Sequence, residues 1–374
     1  MYLVSSINKF FYEWWKNINK SIFFLIILLF FLGLFFSLVS TSLIASDKLN
    51  NNTYYFFLRH FLFTFIGIFF IIFFSTLNQK DLYRISTILF LICFIFLALV
   101  PIIGVEVKGS KRWLDFAFLP RFQPIEVLKP FIIIIIASIL SSENNKGIYY
   151  KYFLNFILII PIIFFLITQP DIGQTFLVIL TWLSLIFISG INLIIFFIFF
   201  GLMLLLLFYL IFFVPKFSYI LIRIKSFFDP TSGNNYQSEK ASEAIINGGF
   251  FGKGIGEGVL KNKVPEAHTD YIVSVISEEF GVIMIFLLLL IFLFFIYHIF
   301  KKLYFINDNK VKLIIVGSSV IILFQFLIHI GVNIRMFPTT GMTLPFLSYG
   351  GSSIISTSIL CGIILNLTKK NILR

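Results

Sequence analysis

The residues best placed to do chemistry sit in PEAHTD, residues 265–270, just ahead of a long apolar run. A carboxylate at the mouth of a wet cavity can act as a general base. Asp270, Ser274 and Glu278 follow at i, i+4 and i+8. On a helix that spacing makes one polar stripe, which inside a membrane has to face the bundle interior or a water-filled cavity. Helix capping by Thr269 or Asp270 accounts for the same residues without chemistry. His268 and Asp270 make no triad, because neither places a nucleophile. Glu266 and Asp270 are two carboxylates without the further ligands a metal set needs.

A second group lies upstream, in VEVKGSKRWLDFAFLPRFQPIEVLKP, residues 105–130. Arg112 and Trp113 stand beside Lys108 and Lys111. Trp113 suits either a headgroup-level anchor or a substrate contact. Glu126 and Lys129 are i, i+3 neighbours on one helix face. Each costs several kcal/mol in a membrane unless paired or wet. They therefore form either a structural ion pair or part of a substrate path. A third group is Gln325, His329 and Asn333, again at i, i+4, i+8, followed by RMFPTTGMTLPFLSYGGSS, residues 335–353. Two prolines and three glycines cannot continue a lipid-facing helix. Such backbone is tolerated only where it lines a cavity or is buried in protein. His329 itself suits a hydrogen-bonded packing role. A glycine-rich run, residues 247–258, lacks the preceding strand of a dinucleotide site. It lets the backbone turn tightly over the bundle or approach a phosphate.

The elements that must hold these residues are membrane helices. Of 374 residues 59% are hydrophobic and only 12% charged, against roughly 25% charged in a soluble domain. A crossing helix needs about 20 mostly apolar residues. Soluble enzymes, secreted disulfide scaffolds and disordered chains are excluded. So is an outer-membrane barrel, whose strands would alternate. Charge-free stretches mark spans at 20–47, 59–80, 84–106 and 151–171, and a further span, 122–142, holds Glu126 and Lys129. The stretch 172–215 is about twice the length of one crossing and divides at Ser189, Gly190 and Asn192 into two. Three more follow, at 270–301, 312–335 and 347–368. The expected fold is thus an all-α polytopic membrane protein of ten transmembrane helices, with a large extracytoplasmic loop, 216–269, between helices 7 and 8. Residues 1–20 suit a cytoplasmic amphipathic helix, and 21–374 the membrane domain. The first span is too long for a cleavable signal peptide.

Ten spans put both termini on one side, taken as the cytoplasm. The net charge is +12. Twelve basic residues gather in two outer regions, 108–129 and 216–263. Between hydrophobic runs this points to membrane lipid or an anionic lipid-linked substrate, not nucleic acid. Cys93 and Cys361 lie inside apolar runs and suggest neither a disulfide nor a metal.

KGSKRWL, FQPIEVLKP, QPDIGQT, NGGFFGKGIGEG, PEAHTD and PTTGMTLPFLSYGGSS occur in this order between residues 108 and 353. With the span count, they resemble the SEDS proteins of shape, elongation, division and sporulation, and their division branch more than their elongation branch. The resemblance implies an inner-membrane peptidoglycan glycosyltransferase, at the division septum, that polymerises lipid II beside a class B penicillin-binding protein and other divisome membrane proteins. It makes Asp270 the catalytic carboxylate and sets Trp113 at the sugar-lipid site. Arg112, Lys129 and Arg335 are then candidates to stabilise the pyrophosphate leaving group, a task a divalent cation (Mg or Mn) also performs. Glu126, Glu266, His268 and Ser274 complete the candidate substrate site. One departure is Thr340, where the family usually has Lys. Arg335 is the cation five residues earlier. The competing readings are a lipid II flippase, an elongation-type polymerase and a scaffold that only recruits a synthase. A flippase needs a polar path through the whole bilayer, whereas Trp113, Glu126, Lys129, Asp270 and Ser274 cluster toward the outer half.

Overall fold

The computed structural model describes residues 2–40, 54–107, 109–116, 119–142, 147–229 and 235–370. Lys108, expected in the basic outer loop, and Pro230 to Asn234 lie outside them. Helix α1 is Tyr2–Asn17, α2 Lys20–Val39, α3 Tyr55–Thr76 and α4 Gln79–Ile103. Three strands follow, β1 Val105–Val107, β2 Ser110–Phe116 and β3 Leu119–Phe122. Then come α5 Pro124–Leu140, α6 Ile148–Thr168, α7 Ile172–Ile188 and α8 Leu193–Phe213. Helices α9 Ser218–Phe228 and α10 Tyr236–Gly248 precede α11 Ile272–Leu303, α12 Asn309–Asn333 and α13 Gly351–Leu367.

The helix starts follow local chemistry. Asp171 caps α7 by accepting from the Gln174 amide at 3.3 Å. Asn192 caps α8 through the Ile194 amide at 2.9 Å, which splits the long 172–215 stretch where the sequence suggested. Asp308 caps α12, and Pro124 opens α5, where a missing N–H costs nothing. Among the described residues seven helices, α2, α3, α4, α6, α8, α11 and α12, are long and apolar enough to cross a membrane. Helices α5, α7 and α13 are shorter, at 17 residues each.

Helix α12 occupies the centre, with 78% of its most apolar stretch buried, whereas the corresponding figure for α8 is 6%. Apolarity does not explain the difference, since the less buried helix is the more apolar. Small and hydroxyl residues do, because they let helix backbones approach where lipid offers no hydrophobic drive. Gly317 of α12 meets Ile133 and Leu185, and Gly67 of α3 meets Ser358 of α13.

The fold departs from the all-α expectation in one place. Residues 105–122 form a three-stranded antiparallel sheet in the order β1-β2-β3. Val105 pairs with Trp113 and Val107 with Ser110 across a turn in which Gly109 takes φ +76°. Leu114 pairs with Phe122. Phe116 and Phe122 pack on Phe96 of α4, with centroids 5.9 and 5.8 Å away, which seats the sheet on the bundle. The 216–269 segment carries α9 and α10 and is not a plain loop.

Candidate active site

A cavity of about 770 Å³ opens between the sheet, the 266–270 turn and the 341–353 segment. Its lining includes Arg112, Trp113, Glu126, Glu266, His268 and Asp270. Six of the nine candidate site residues are therefore brought to one place, from two segments 140 positions apart at their nearest.

Asp270 is not on a helix. Helix α11 starts only at Ile272, after a turn in which the Thr269 and Tyr271 amides donate to the Glu266 carbonyl at 3.0 and 3.2 Å. Glu266 sits in the left-handed region, at φ +56°. Three bonds hold this turn. The Asn333 amide nitrogen donates to the Asp270 carbonyl at 3.1 Å. The Ser348 hydroxyl donates to the Thr269 carbonyl at 2.6 Å. The Tyr349 amide donates to the His268 carbonyl at 3.0 Å. The His268 ring packs on Phe56 at a tilt of 31°, with centroids 3.9 Å apart.

The stripe on α12 thus serves the site from behind. Gln325 donates to the Thr343 carbonyl at 3.0 Å, and His329 Nδ1 lies 2.7 Å from the Met342 carbonyl. Together with Asn333 they fasten both the 341–353 segment and the Asp270 turn to the largely buried helix α12.

Arg112 enters from β2. Its Nε donates to the Gln169 carbonyl at 3.1 Å, and its Nη2 donates to the Pro170 carbonyl. Asp171 lies 4.0 Å from Nε and also accepts from Gln123 at 2.6 Å. QPDIGQT is thereby the bracket that aims Arg112. Glu126 pairs with Lys129 at 2.7 Å and accepts from Gln174. Lys129 is buried, donates to Gln325 at 3.0 Å, and reaches the cavity only through Glu126.

Three expectations are corrected. Asp270, Ser274 and Glu278 do not make one stripe toward the cavity. Ser274 is buried behind the turn, its hydroxyl donating to the Tyr271 carbonyl at 2.6 Å. Glu278 faces the opposite way, accepting from Asn247, Leu260 and Lys261 at 3.0, 2.8 and 2.6 Å. Arg335 does not reach this cavity. It lines a separate small cleft with Arg223, Phe337 and Thr339, and sits at φ +59°.

Several cavity residues were not singled out from the sequence: Arg59, Tyr55, Asp115, Arg121 and Tyr349. Arg59 had a signal, as the single charge opening an apolar run. Its guanidinium lies 4.5 Å from the Tyr55 ring centroid. Arg223, on α9, donates to the Thr339 carbonyl at 3.4 Å. Burial and then the charge of Arg112 pull its pKa below the usual arginine range. Tyr219, also on α9, is pushed up to about 12 by burial, against the opposing pull of Arg223 and Arg112. Positive charge therefore reaches the Arg112 neighbourhood from α9. Among the described residues no three His, Cys, Asp or Glu side chains gather as a metal site.

The arrangement can hold a large anionic substrate. It sets a carboxylate at the end of α11 against arginines on β2 and α3.

The family of cell cycle proteins FtsW, RodA and SpoVE matches residues 19–372. A probable peptidoglycan glycosyltransferase FtsW of Caulobacter vibrioides is 33% identical over 300 residues, 79% of this chain and 75% of that one. The protein of the same name from Coxiella burnetii is 33% identical over 343 residues, 88% of this chain and 91% of that one. A chain from a peptidoglycan synthase complex that coordinates polymerization and crosslinking superposes with a TM-score of 0.75 at 23% identity, covering 94% of this chain and 97% of that chain. The rod shape determining protein RodA of Thermus thermophilus gives 0.68 at 23% identity, covering 94% and 96%.

Proposed function

The chain belongs to the FtsW, RodA and SpoVE family of cell cycle proteins, and from that premise we propose that it is a peptidoglycan glycosyltransferase. It polymerises lipid II for septal wall synthesis. The observation that carries this reading is the meeting of Asp270 with Arg112 at one cavity, each fixed by bonds from several segments. The naming of the relatives as peptidoglycan glycosyltransferases supports it.

In this reading Asp270 takes the proton from the GlcNAc 4-hydroxyl of one lipid II. The freed oxygen attacks the MurNAc anomeric carbon of the growing strand. The bond from that carbon to the pyrophosphate breaks, and undecaprenyl pyrophosphate leaves as the anion. Its charge is met by preorganised cations. Arg112 is the first of these, with Arg59 and Arg121 at the same cavity. Trp113, Glu266 and His268 line the sugar path. Glu126 lines it too and is held by Lys129.

The finer topology belongs to the same proposal. The helices α2 to α8 and α11 to α13 make ten crossings, with α5, α7 and α13 as the short ones. Both termini are cytoplasmic, and 216–269 lies on the periplasmic side with the cavity. The chain works in the inner membrane at the septum beside a class B penicillin-binding protein. The fold likeness to a chain of a synthase complex supports such a partner.

The test is lipid II polymerisation in liposomes with the class B partner present and its transpeptidase blocked. Glycan strands from the wild type and none from Asp270→Asn at equal protein are expected. Equal strands from both would remove Asp270 from the chemistry.

A further inference from the structure

The glycine-rich run 247–258 is bonded to a break in α11. Gly281 interrupts that helix at φ +79°, ψ 173°. An unbroken helix would join the Val282 amide to the Glu278 carbonyl and the Ile283 amide to the Glu279 carbonyl. Here all four groups turn to the glycine-rich run. The Val282 amide donates to the Gly249 carbonyl at 3.0 Å and the Ile283 amide to the Phe250 carbonyl at 3.3 Å. The Lys253 amide donates to the Glu278 carbonyl at 2.9 Å and the Gly254 amide to the Glu279 carbonyl at 3.0 Å. Gly248, Gly252 and Gly281 allow this contact, because a Cβ on any of them would overlap the facing backbone. Glu278 ties down the far end of the run through the Leu260 and Lys261 amides.

The large apolar side chains of this pinned run point outward. Phe250 is 75% exposed and Phe251 83%, with Ile255 and Val259 beyond them also exposed. They adjoin Val282 and Ile283, where the exposed apolar face of α11 begins and continues through Phe286 and Leu287. Residues 272–279 before the break are wholly buried in protein. The apolar surface of the run is therefore continuous with the face that α11 presents to lipid.

We propose that this run is a re-entrant contact, with Phe250 and Phe251 seated among the acyl chains of the leaflet on the cavity's side. Irregular backbone enters hydrocarbon only when its polar groups are satisfied by protein. The exchange with the α11 break supplies that satisfaction for the Gly249 and Phe250 carbonyls and the Lys253 and Gly254 amides. Lys253 and Glu257, both exposed, remain at headgroup level, where aromatic and charged residues sit together. The run then sets the depth of the Asp270 end of α11 in the bilayer.

The test uses the whole chain in phosphatidylethanolamine and phosphatidylglycerol vesicles with no other protein. A single cysteine is introduced by Phe251→Cys, and in a second protein by Phe250→Cys, and spin-labelled. Cys93 and Cys361 are buried and stay unlabelled. Phe286→Cys on α11 is the lipid reference. Oxygen accessibility exceeding that of a nickel chelate, as at the reference, is expected at residues 250 and 251. Nickel accessibility exceeding oxygen at both would overturn the proposal and leave the run as a water-exposed surface for a protein partner.

Discussion

Asp270 and Arg112 converge beside one glycine. The Asp270 Oδ2 and Arg112 Nη1 atoms lie 3.6 and 3.8 Å from the point a Cβ on Gly341 would occupy. The carboxylate and the guanidinium therefore both border one methyl-sized space, and Gly341 at φ +69° is the residue that leaves it open. The 341–353 segment is thus part of the cavity's wall.

Asp270→Asn keeps the size of the side chain and its backbone bonds, and removes only the proton acceptor. Loss of a general base lowers turnover by roughly 10²- to 10⁴-fold. The chain is expected to insert and purify as the wild type does. Gel analysis of glycan strands at matched protein reads the rate.

Gly341→Val fills the gap and forces a branched side chain into left-handed backbone, which costs roughly 1–2 kcal/mol. Displacing reacting groups by about 1 Å can cost roughly 10²-fold in rate. Polymerisation is expected to fall by that order while lipid II binding, followed with a fluorescent analogue, survives. Equal activity of the variant would show that the gap is not used.

Asn333→Ala tests positioning. Its amide serves the Asp270 carbonyl at 3.1 Å and the His329 carbonyl at 2.9 Å. Leaving a buried acceptor without its donor costs about 1–3 kcal/mol. A purely structural role would lower the unfolding temperature alone. A positioning role also lowers kcat with KM nearly unchanged, and steady-state kinetics on lipid II separate the two.

Much of this was legible in the sequence, for identifiable reasons. The apolar runs were long and their breaks carried capping residues, Asp171, Asn192 and Asp308, so the helices lay where hydropathy placed them. Glu126 and Lys129 were too costly to bury apart, and they are paired. The sheet was missed because its strands are short, three to seven residues, and held by contacts with Phe96 far away in sequence. The direction of Glu278 was missed because periodicity assumes an unbroken helix that already includes Asp270. The helix begins at Ile272, and Gly281 bends it onto the glycine-rich run. Arg335 was chosen for nearness to Thr340 along the chain, which says nothing of the side-chain direction of a residue at φ +59°.

That geometry separates the two arginines. Arg335→Gly relieves left-handed strain at a residue outside the cavity, so it is expected to raise the unfolding temperature and leave the polymerisation rate unchanged. Arg112→Ala is expected to raise KM for lipid II and lower kcat, as the cation proposed to meet the leaving group. A large loss of rate from Arg335→Gly would return that residue to the site.

The Glu126–Lys129 pair carries the last prediction. Both side chains are buried, 2.7 Å apart, and each has a second partner, Gln174 for the carboxylate and Gln325 for the ammonium. Lys129→Met strands a buried carboxylate beside the cavity, and breaking such a pair costs about 3–5 kcal/mol. Glu126→Gln strands the ammonium instead, with a loss of the same order. The double variant leaves no uncompensated charge, and its loss is expected to be smaller than either single one. Thermal unfolding in detergent of the four proteins closes the cycle, and the coupling energy is the departure from additivity. The double variant also tests chemistry. If Glu126 serves only to shape the cavity wall, polymerisation returns with stability. If its charge meets substrate, the double variant folds and remains slow.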